Sequence, residues 1–378
     1  MRTNPLMAIE LMRLREREIG RRADEARLVR SARRTHVRGA RPRPAIHDRL
    51  SRRRSSSTAP LSDPAGSHEE VDTMRTLDVI GVPSSMGAFA PGQERAPAAL
   101  RAAGLTKGLV AAGLEVEDRG DAQVRRWFPD RHHPHAQHVE AVAEVAAETA
   151  GRVRESAERG SLPLVLGGDC TVGLGTIAGL GDGAPLGFVY FDLHTDMNVP
   201  ASVKEGALDW MGMAHALGFE GTDERLRAFG SRTPLLDPDE VVFFAIGTDN
   251  PTSFEREQQA ARGLREIGAP AVIADPEAAA GKALAMHDKT ERILIHFDVD
   301  VVDYMDLPLS ENAGRNEGLS FDTTMRALRA LAATPKLAAL TVTEVNPDHD
   351  PDGTAVERFV DGLVDVLSRA PALTGGTR

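Results

Sequence analysis

Short apolar runs alternate with helical patterns from residue 77 to the end of the chain. The runs that predict strands cover residues 77–81, 162–166, 186–191, 241–246, 292–297 and 337–345. The apolar spacing predicts helices at 96–103, 139–158 and 356–367. Because strands that alternate with helices are typical of βαβ units, the pattern predicts a three-layer α/β/α fold with a mainly parallel sheet.

The N-terminal segment differs in composition from the rest of the chain. Residues 1–60 contain 17 Arg against 6 Asp or Glu, whereas the whole chain of 378 residues has a net charge of -11. A segment so rich in Arg and Ser and so poor in aromatic residues cannot bury enough surface to offset its ordering entropy. We therefore predict a disordered Arg-rich extension over residues 1–73 and one folded domain over residues 74–370. A targeting peptide and a true start at Met74 are alternative interpretations of the extension.

The composition also excludes several classes of protein. Cys170 is the only cysteine, which rules out an intrachain disulfide. The chain has no apolar run of the ~20 residues that a membrane helix needs. The acidic body argues against nucleic acid as the main ligand. We expect a cytoplasmic protein that binds neither a membrane nor nucleic acid.

Two acidic runs follow predicted strands directly. In an extended strand, side chains two residues apart face the same way, so Asp192, His194 and Asp196 are expected to converge on one point. Asp298 and Asp300 repeat this spacing after another strand. Ligands of open α/β sheets bind outside the carboxyl ends of the strands, where both runs fall.

Carboxylates at this density repel one another unless cations lie between them. Two divalent metal ions would supply that charge, and carboxylate and imidazole ligands suit Mn²⁺ and its neighbours. Such a pair of metals holds and activates a hydroxide nucleophile. The runs therefore predict a binuclear metal centre.

Several stretches together resemble the arginase, agmatinase and formimidoylglutamase (ureohydrolase) family, over roughly residues 77–368. The matching stretches are 92–97, 100–101, 166–170, 192–196, 297–300, 303 and 344–347. The resemblance implies six metal ligands, which are Cys170, Asp192, His194, Asp196, Asp298 and Asp300. It implies that Asp192 and Asp298 bridge both metals.

The resemblance also implies how the other four ligands divide between the metals. Cys170 and Asp196 would complete one site, and His194 and Asp300 the other. The implied cofactors are two manganese ions, with zinc, iron or nickel as alternatives, and the implied assembly is a homo-oligomer.

The implied reaction is hydrolysis of a C–N bond in a small guanidino or amidino compound by a hydroxide that bridges the metals. Glu344 matches the family's acidic residue that faces the guanidinium group, and a carboxylate holds such a planar cation well. Asp196, His215 or water would protonate the leaving amine.

Three departures from the family pattern change the expectation. Cys170 stands where the family has His, and a thiolate favours Zn²⁺ or Fe²⁺, although a cysteine there could also be a buried packing residue. The nearest match to the family's turn with a proton-transferring His is Met211-Gly212-Met213-Ala214, and a methionine cannot transfer protons. Residues 248–251 lack the family's substrate-binding residues, so the substrate is left open.

Two alternatives to this function follow. One is a catalytically weak or inactive family member with a binding role, which the departures at Cys170 and Met211 suggest. The other is a single-zinc deacylase of the histone-deacetylase type. Asp196 and Asp300 in ligand positions argue against the second alternative.

Overall fold

The computed structural model describes residues 75–181, 185–311 and 318–375. Within these residues, eight strands form one parallel sheet in the order β2-β1-β3-β8-β7-β4-β5-β6. The strands are Leu77–Gly81 (β1), Val116–Asp121 (β2), Leu162–Leu166 (β3), Leu186–Phe191 (β4), Val241–Ile246 (β5), Arg265–Gly268 (β6), Arg292–Asp298 (β7) and Leu337–Thr343 (β8). The predicted fold is confirmed. The predicted extension over residues 1–73 lies outside the described residues.

Helices connect these strands. The α-helices of the described residues are Ala96–Ala102 (α1), Leu105–Ala111 (α2), Val139–Glu158 (α3), Val172–Leu180 (α4), Gly212–Ala216 (α5), Glu224–Arg227 (α6), Ser253–Arg262 (α7), Ala269–Ala274 (α8), Pro276–Ala285 (α9), Phe321–Ala332 (α10), Thr354–Leu367 (α11) and Pro371–Thr374 (α12). None of the helices in the described part of the chain is both long and apolar enough to span a membrane.

The sequence pattern missed the two strands at the edges of the sheet. The β2 strand is Val-Glu-Asp-Arg-Gly-Asp and is mostly exposed, and β6 has only four residues. An edge strand needs less apolar surface than a central one, because it pairs with only one neighbour. Neither segment therefore contains the apolar run by which the six other strands were predicted.

The sheet separates two apolar layers. Alternate side chains of β3 face opposite ways, so Leu164 and Leu166 belong to one core and Val165 to the other. The core on the Val165 side includes residues of α3 and α4. The opposite core includes residues of α1, α2, α10 and α11. This arrangement is the predicted three-layer architecture.

The strand order brings four distant chain segments together. The strands β3, β8, β7 and β4 are neighbours in the middle of the sheet. Because all four are parallel, their carboxyl ends lie at one edge. The residues at or just after these ends are Cys170, Glu344, Asp298 and Asp192.

Candidate metal centre

The first acidic run lies in a loop rather than in a strand. The β4 strand ends at Phe191, and the carboxylate of Asp192 turns back to accept a hydrogen bond of 2.7 Å from the N–H of His194. Asp196 has a left-handed backbone with φ of 47°. The extended geometry that the prediction assumed therefore ends before Asp192, so Asp192, His194 and Asp196 do not share one face of a strand.

The second acidic run has a similar turn. Asp298 is the last residue of β7, and its side chain accepts a hydrogen bond of 2.8 Å from the N–H of Asp300. This bond caps the 3₁₀ helix Val299–Val301. Asp298 and Asp300 therefore both lie in this capped turn at the end of β7.

The side chains at this edge form three overlapping groups in which the ligand atoms lie within 4.8 Å of one another. The groups are Cys170 with Asp192 and Asp196, Asp192 with His194 and Asp300, and Cys170 with His296 and Asp298. All six predicted ligands are thus brought together, and Asp192 belongs to two groups. The structure adds His296 to them.

A second part of the chain fixes the Asp192 loop. Glu255, in the first turn of α7, is buried. One of its carboxylate oxygens accepts hydrogen bonds of 2.9 Å from the hydroxyl of Thr195 and 3.0 Å from the N–H of Met197. These bonds hold the loop on both sides of Asp196, whose carboxylate is one of the candidate ligands.

Burial and mutual repulsion shift the protonation of the cluster. Burial raises the pKa values of Asp298 and Asp196 well above the usual range, and the neighbouring carboxylates raise them further. Burial would lower the pKa of His194, but Asp300 and Asp192 outweigh it and raise that pKa well above its usual value. The His194 Nδ1 atom lies 3.1 Å from Asp300 and 3.4 Å from Asp192. A proton on His194 would offset part of the charge of these two carboxylates.

The donor set fits divalent metals. Among the described residues, the buried Oδ2 atom of Asp192 has no hydrogen-bond partner. A buried carboxylate oxygen without a partner is costly unless an ion satisfies it. The Cys170 Sγ atom lies 2.5 Å from Asp298 Oδ2, and burial, followed by the charge of Asp298, raises the pKa of this thiol. A metal ion would replace the thiol proton.

Glu344 lies beside the same cluster. It follows β8 with a left-handed φ of 62°, and its N–H donates to the carbonyl of Gly168 at 2.8 Å. Its two carboxylate oxygens accept hydrogen bonds from the N–H of Cys170 at 3.0 Å and from the side chain of Gln93 at 3.1 Å. Burial and the charge of Asp169 raise the pKa of Glu344. These contacts hold the carboxylate in one orientation.

Close packing of two loops supports that position. A Cβ atom added to Gly168 would lie 1.7 Å from the carbonyl oxygen of Ser84, so only glycine fits there. The N–H of Asp169 donates to the same carbonyl at 3.0 Å. The segment Gly167-Gly168-Asp169 is therefore held against Ser84 on one side and Glu344 on the other, which places Cys170 beside Glu344.

The structure does not support a chemical role for His215. Its Nδ1 atom lies 2.8 Å from the carbonyl of Met211, and its Nε2 atom accepts a hydrogen bond of 3.2 Å from the N–H of Asp223. Burial lowers the pKa of His215 to about 4. Both ring nitrogens are engaged by the backbone, which argues against the predicted proton transfer by His215.

Sequence reasoning also missed several polar residues at the site. Asp209 is buried among the carboxylates, and burial followed by the charge of Glu344 raises its pKa. Asn250 lies 3.3 Å from the Nε2 atom of His194. His296 lies two residues before Asp298 and shares its face of β7, so the period of two could have identified it.

Comparison with known proteins agrees with this fold and identifies the family. The arginase family model matches residues 75–364. An arginase of Brevibacillus brevis is 30% identical over 284 residues, which cover 73% of this chain and 92% of that protein. An arginase of Bacillus caldovelox is 27% identical over 288 residues, which cover 73% of this chain and 93% of that protein.

A solved structure gives the same result for the fold. The native Bacillus caldovelox arginase structure superposes with a TM-score of 0.69 at 24% identity, covering 79% of this chain and 98% of that one. The fold and the cluster define a metal-binding hydrolase built on a parallel α/β sheet. The chain belongs to the arginase family. It is accordingly an enzyme of the amidinohydrolase type, which acts on C–N bonds in linear amidines.

Proposed function

We propose that the chain hydrolyses a C–N bond of a small guanidino or amidino compound at a centre of two divalent metals. The observation that carries the proposal is the pair of ligand groups that share Asp192, with Glu344 beside them. One group would hold a metal through Cys170 and Asp196, and the other through His194 and Asp300. Asp298 faces the Cys170 side and would help to hold the metal there.

The residues of the cluster support this assignment electrostatically. When bound, two divalent cations would offset the carboxylate charge and activate a water molecule as the nucleophile. Metal binding would displace the protons of Asp298, Asp196 and His194, whose pKa values are raised without it. We propose manganese as the usual metal, and zinc, iron or nickel where the Cys170 thiolate takes part.

Glu344 would bind the substrate cation. Each of its oxygens has one lone pair engaged, by Gln93 and by the N–H of Cys170, and so retains capacity for another bond. Two parallel N–H groups of an amidine or guanidine fit such a carboxylate. The positive charge of the substrate would favour the ionised form of Glu344, and the two hydrogen bonds would orient the amidine carbon toward the metals.

Asp196 is the remaining protein candidate for proton transfer. The Tyr190 hydroxyl donates to Asp196 Oδ2. Asp196 would take a proton as the nucleophile adds and give it to the departing amine, with Tyr190 fixing the orientation of its carboxylate. His215 has no part in this proposal.

The substrate pocket distinguishes this chain within its family. Asn250 lies 3.3 Å from His194, in the segment where the family's substrate-binding residues are absent. We propose a substrate with an amidino or guanidino group whose other end differs from free arginine. A homo-oligomeric assembly and a cytoplasmic location remain parts of the proposal.

The first test is a screen of guanidino and amidino compounds for urea, amide or ammonia release. The protein would be loaded in turn with Mn²⁺, Zn²⁺, Fe²⁺ or Ni²⁺, and Cys170→His would be assayed beside it. We expect turnover with at least one compound. Failure of both proteins on every compound would favour a binding role, and acetyl-lysine cleavage without urea release would favour the deacylase.

A substitution tests the role of Glu344. We expect Glu344→Gln to lower kcat/KM by about 100-fold, because a charge-assisted contact contributes about 1.5–3 kcal/mol. The exposed Glu357→Gln on α11 is the matched control and should leave kcat/KM unchanged. Equal kcat/KM in both variants would remove Glu344 from the site.

A further inference from the structure

The third ligand group contains a histidine that the proposed function does not use. A ring nitrogen of His296 lies within 4.8 Å of ligand atoms of Cys170 and Asp298, and all three residues are buried. His296 is only 1% exposed. It extends from β7 on the same face as Asp298, because the two residues are separated by two positions in the strand.

The hydrogen bonding of His296 leaves one nitrogen available. Its Nε2 atom lies 3.1 Å from the hydroxyl of Thr343, and the ring stacks on Tyr190 with centroids 4.7 Å apart. Among the described residues, its Nδ1 atom is buried without a hydrogen-bond partner. Histidines that bind metals commonly donate the other ring N–H to a neighbouring oxygen, as Nε2–H can donate to Thr343 here.

A small cavity lies between these side chains. Its volume is about 10 Å³, and its lining includes Cys170, His296, Tyr190 and Gly173. That volume holds about one water-sized occupant. A Cβ atom added to Gly173 would come within 2.7 Å of His296 Nδ1, so glycine keeps this side of the imidazole open.

The chemistry of the cavity favours one class of ion. It offers sulfur and nitrogen donors, and the rest of its lining includes the apolar Leu174, Ile177 and Phe188. Mg²⁺ keeps several waters, and hard cations prefer oxygen ligands. Zn²⁺ and its borderline-soft neighbours accept a set of thiolate, imidazole and carboxylate.

We propose that His296 is a direct ligand of the metal that Cys170 and Asp298 bind. A cysteine sulfur is closer to its own backbone than the imidazole nitrogens of a histidine are. Replacing the family's histidine with Cys170 therefore draws the metal toward the sheet, where His296 lies. The chain thus pairs a sulfur–nitrogen–oxygen site for Zn²⁺, Fe²⁺ or Co²⁺ with a carboxylate–imidazole site. The inference rests on the proposed function in so far as that function places a metal beside Cys170.

Cobalt titration tests this ligand directly. The full chain would be freed of metal with a chelator and titrated with Co²⁺, while the thiolate-to-cobalt charge-transfer band and the visible ligand-field bands are recorded. The charge-transfer band reports only on the metal bound by Cys170. We expect His296→Phe to weaken the Co²⁺ affinity at this band by at least about 10-fold, since even indirect partners of metal ligands contribute that much. The visible bands of that metal should change as well.

The matched control is His287→Phe. His287 is equally buried, but it packs against Gly187 at the start of β4 and belongs to none of the ligand groups. We expect wild-type cobalt affinity and spectra from this variant. The second equivalent of Co²⁺, at His194, should bind alike in all three proteins.

A second measurement does not depend on a folded variant. X-ray absorption of the wild-type chain with one equivalent of Zn²⁺ should show sulfur and imidazole scattering around the same metal. Sulfur without imidazole, or unchanged cobalt affinity and spectra in His296→Phe, would overturn the role of His296 and leave the proposed function standing. A wild-type chain that binds no metal would overturn both.

Discussion

Asp209 shows how a single residue depends on the charge of the whole cluster. It is 5% exposed, and its Oδ1 atom has no hydrogen-bond partner among the described residues. Burial raises its pKa first, followed by the charges of Glu344, Asp169 and Asp196. Without metal, ionisation of this carboxyl therefore opposes folding.

We expect Asp209→Asn to stabilise the metal-free protein. Amide replacement removes the cost of ionising a buried acid, and each unit of raised pKa corresponds to about 1.4 kcal/mol. The free energy of unfolding at neutral pH should rise by at least about 1 kcal/mol, as measured by urea denaturation in the presence of a chelator. Asp249→Asn, at an exposed position, should change it little. A destabilised Asp209→Asn protein would show that this carboxylate is needed for packing.

The contact between α3 and α4 positions the segment that begins with Cys170. The α4 helix begins two residues after Cys170 and contains Gly175 and Gly179, four residues apart on one face. A Cβ atom at Gly175 would lie 2.5 Å from the Cβ atom of Thr149 on α3. The two helices can approach closely only because these positions lack side chains.

Gly175→Ala should therefore destabilise the protein. Overpacking of a tight contact costs about 1–3 kcal/mol, which would appear as a lower midpoint of urea denaturation. Gly151→Ala on α3 is the control, because nothing lies within 4 Å of its added Cβ atom. That substitution should stabilise the protein by up to about 1 kcal/mol through helix propensity. Equal effects of the two substitutions would contradict the tight packing of α3 on α4.

The carboxylate cluster links the stability of the whole protein to pH and to bound metal. The raised pKa values of Asp298, Asp196 and Glu344 mean that the folded, metal-free protein holds protons that the unfolded chain releases. Their stabilising contribution is complete below the unfolded pKa and is lost as the pH rises through the folded pKa. The raised pKa of His194 acts in the same direction.

Bound metal should restore the stability that the metal-free protein loses as the pH rises, because the metal takes the place of the protons on the buried carboxyl groups. We expect the difference in Tm between metal-loaded and chelator-treated protein to increase from about pH 5 to about pH 8, as measured by differential scanning calorimetry with Zn²⁺ or Mn²⁺. Asp298→Asn should show a smaller metal-dependent difference at the upper pH. A difference that stays constant across this range would contradict the linkage between metal and protons.

The layered architecture and the acidic runs can both be predicted from the order of residues along the chain. Six strands can be predicted because each contains an apolar run, which the structure buries in the sheet. The helix α3 has the predicted bounds. The edge strand β2 escapes prediction because it is polar. The helix α4 escapes prediction because its glycines have low helix propensity, and the helix forms where these glycines pack against α3. Local propensity contains no information about such partners.

Which residues share the site depends on how the strands pair in the folded chain. The order β3-β8-β7-β4 places Cys170, Glu344, Asp298 and Asp192 at one edge, although they are far apart in the sequence. It also adds His296 to Cys170 and Asp298. The type of residue and its spacing follow from the sequence, whereas the distance between separate strand ends depends on the order in which the strands pair.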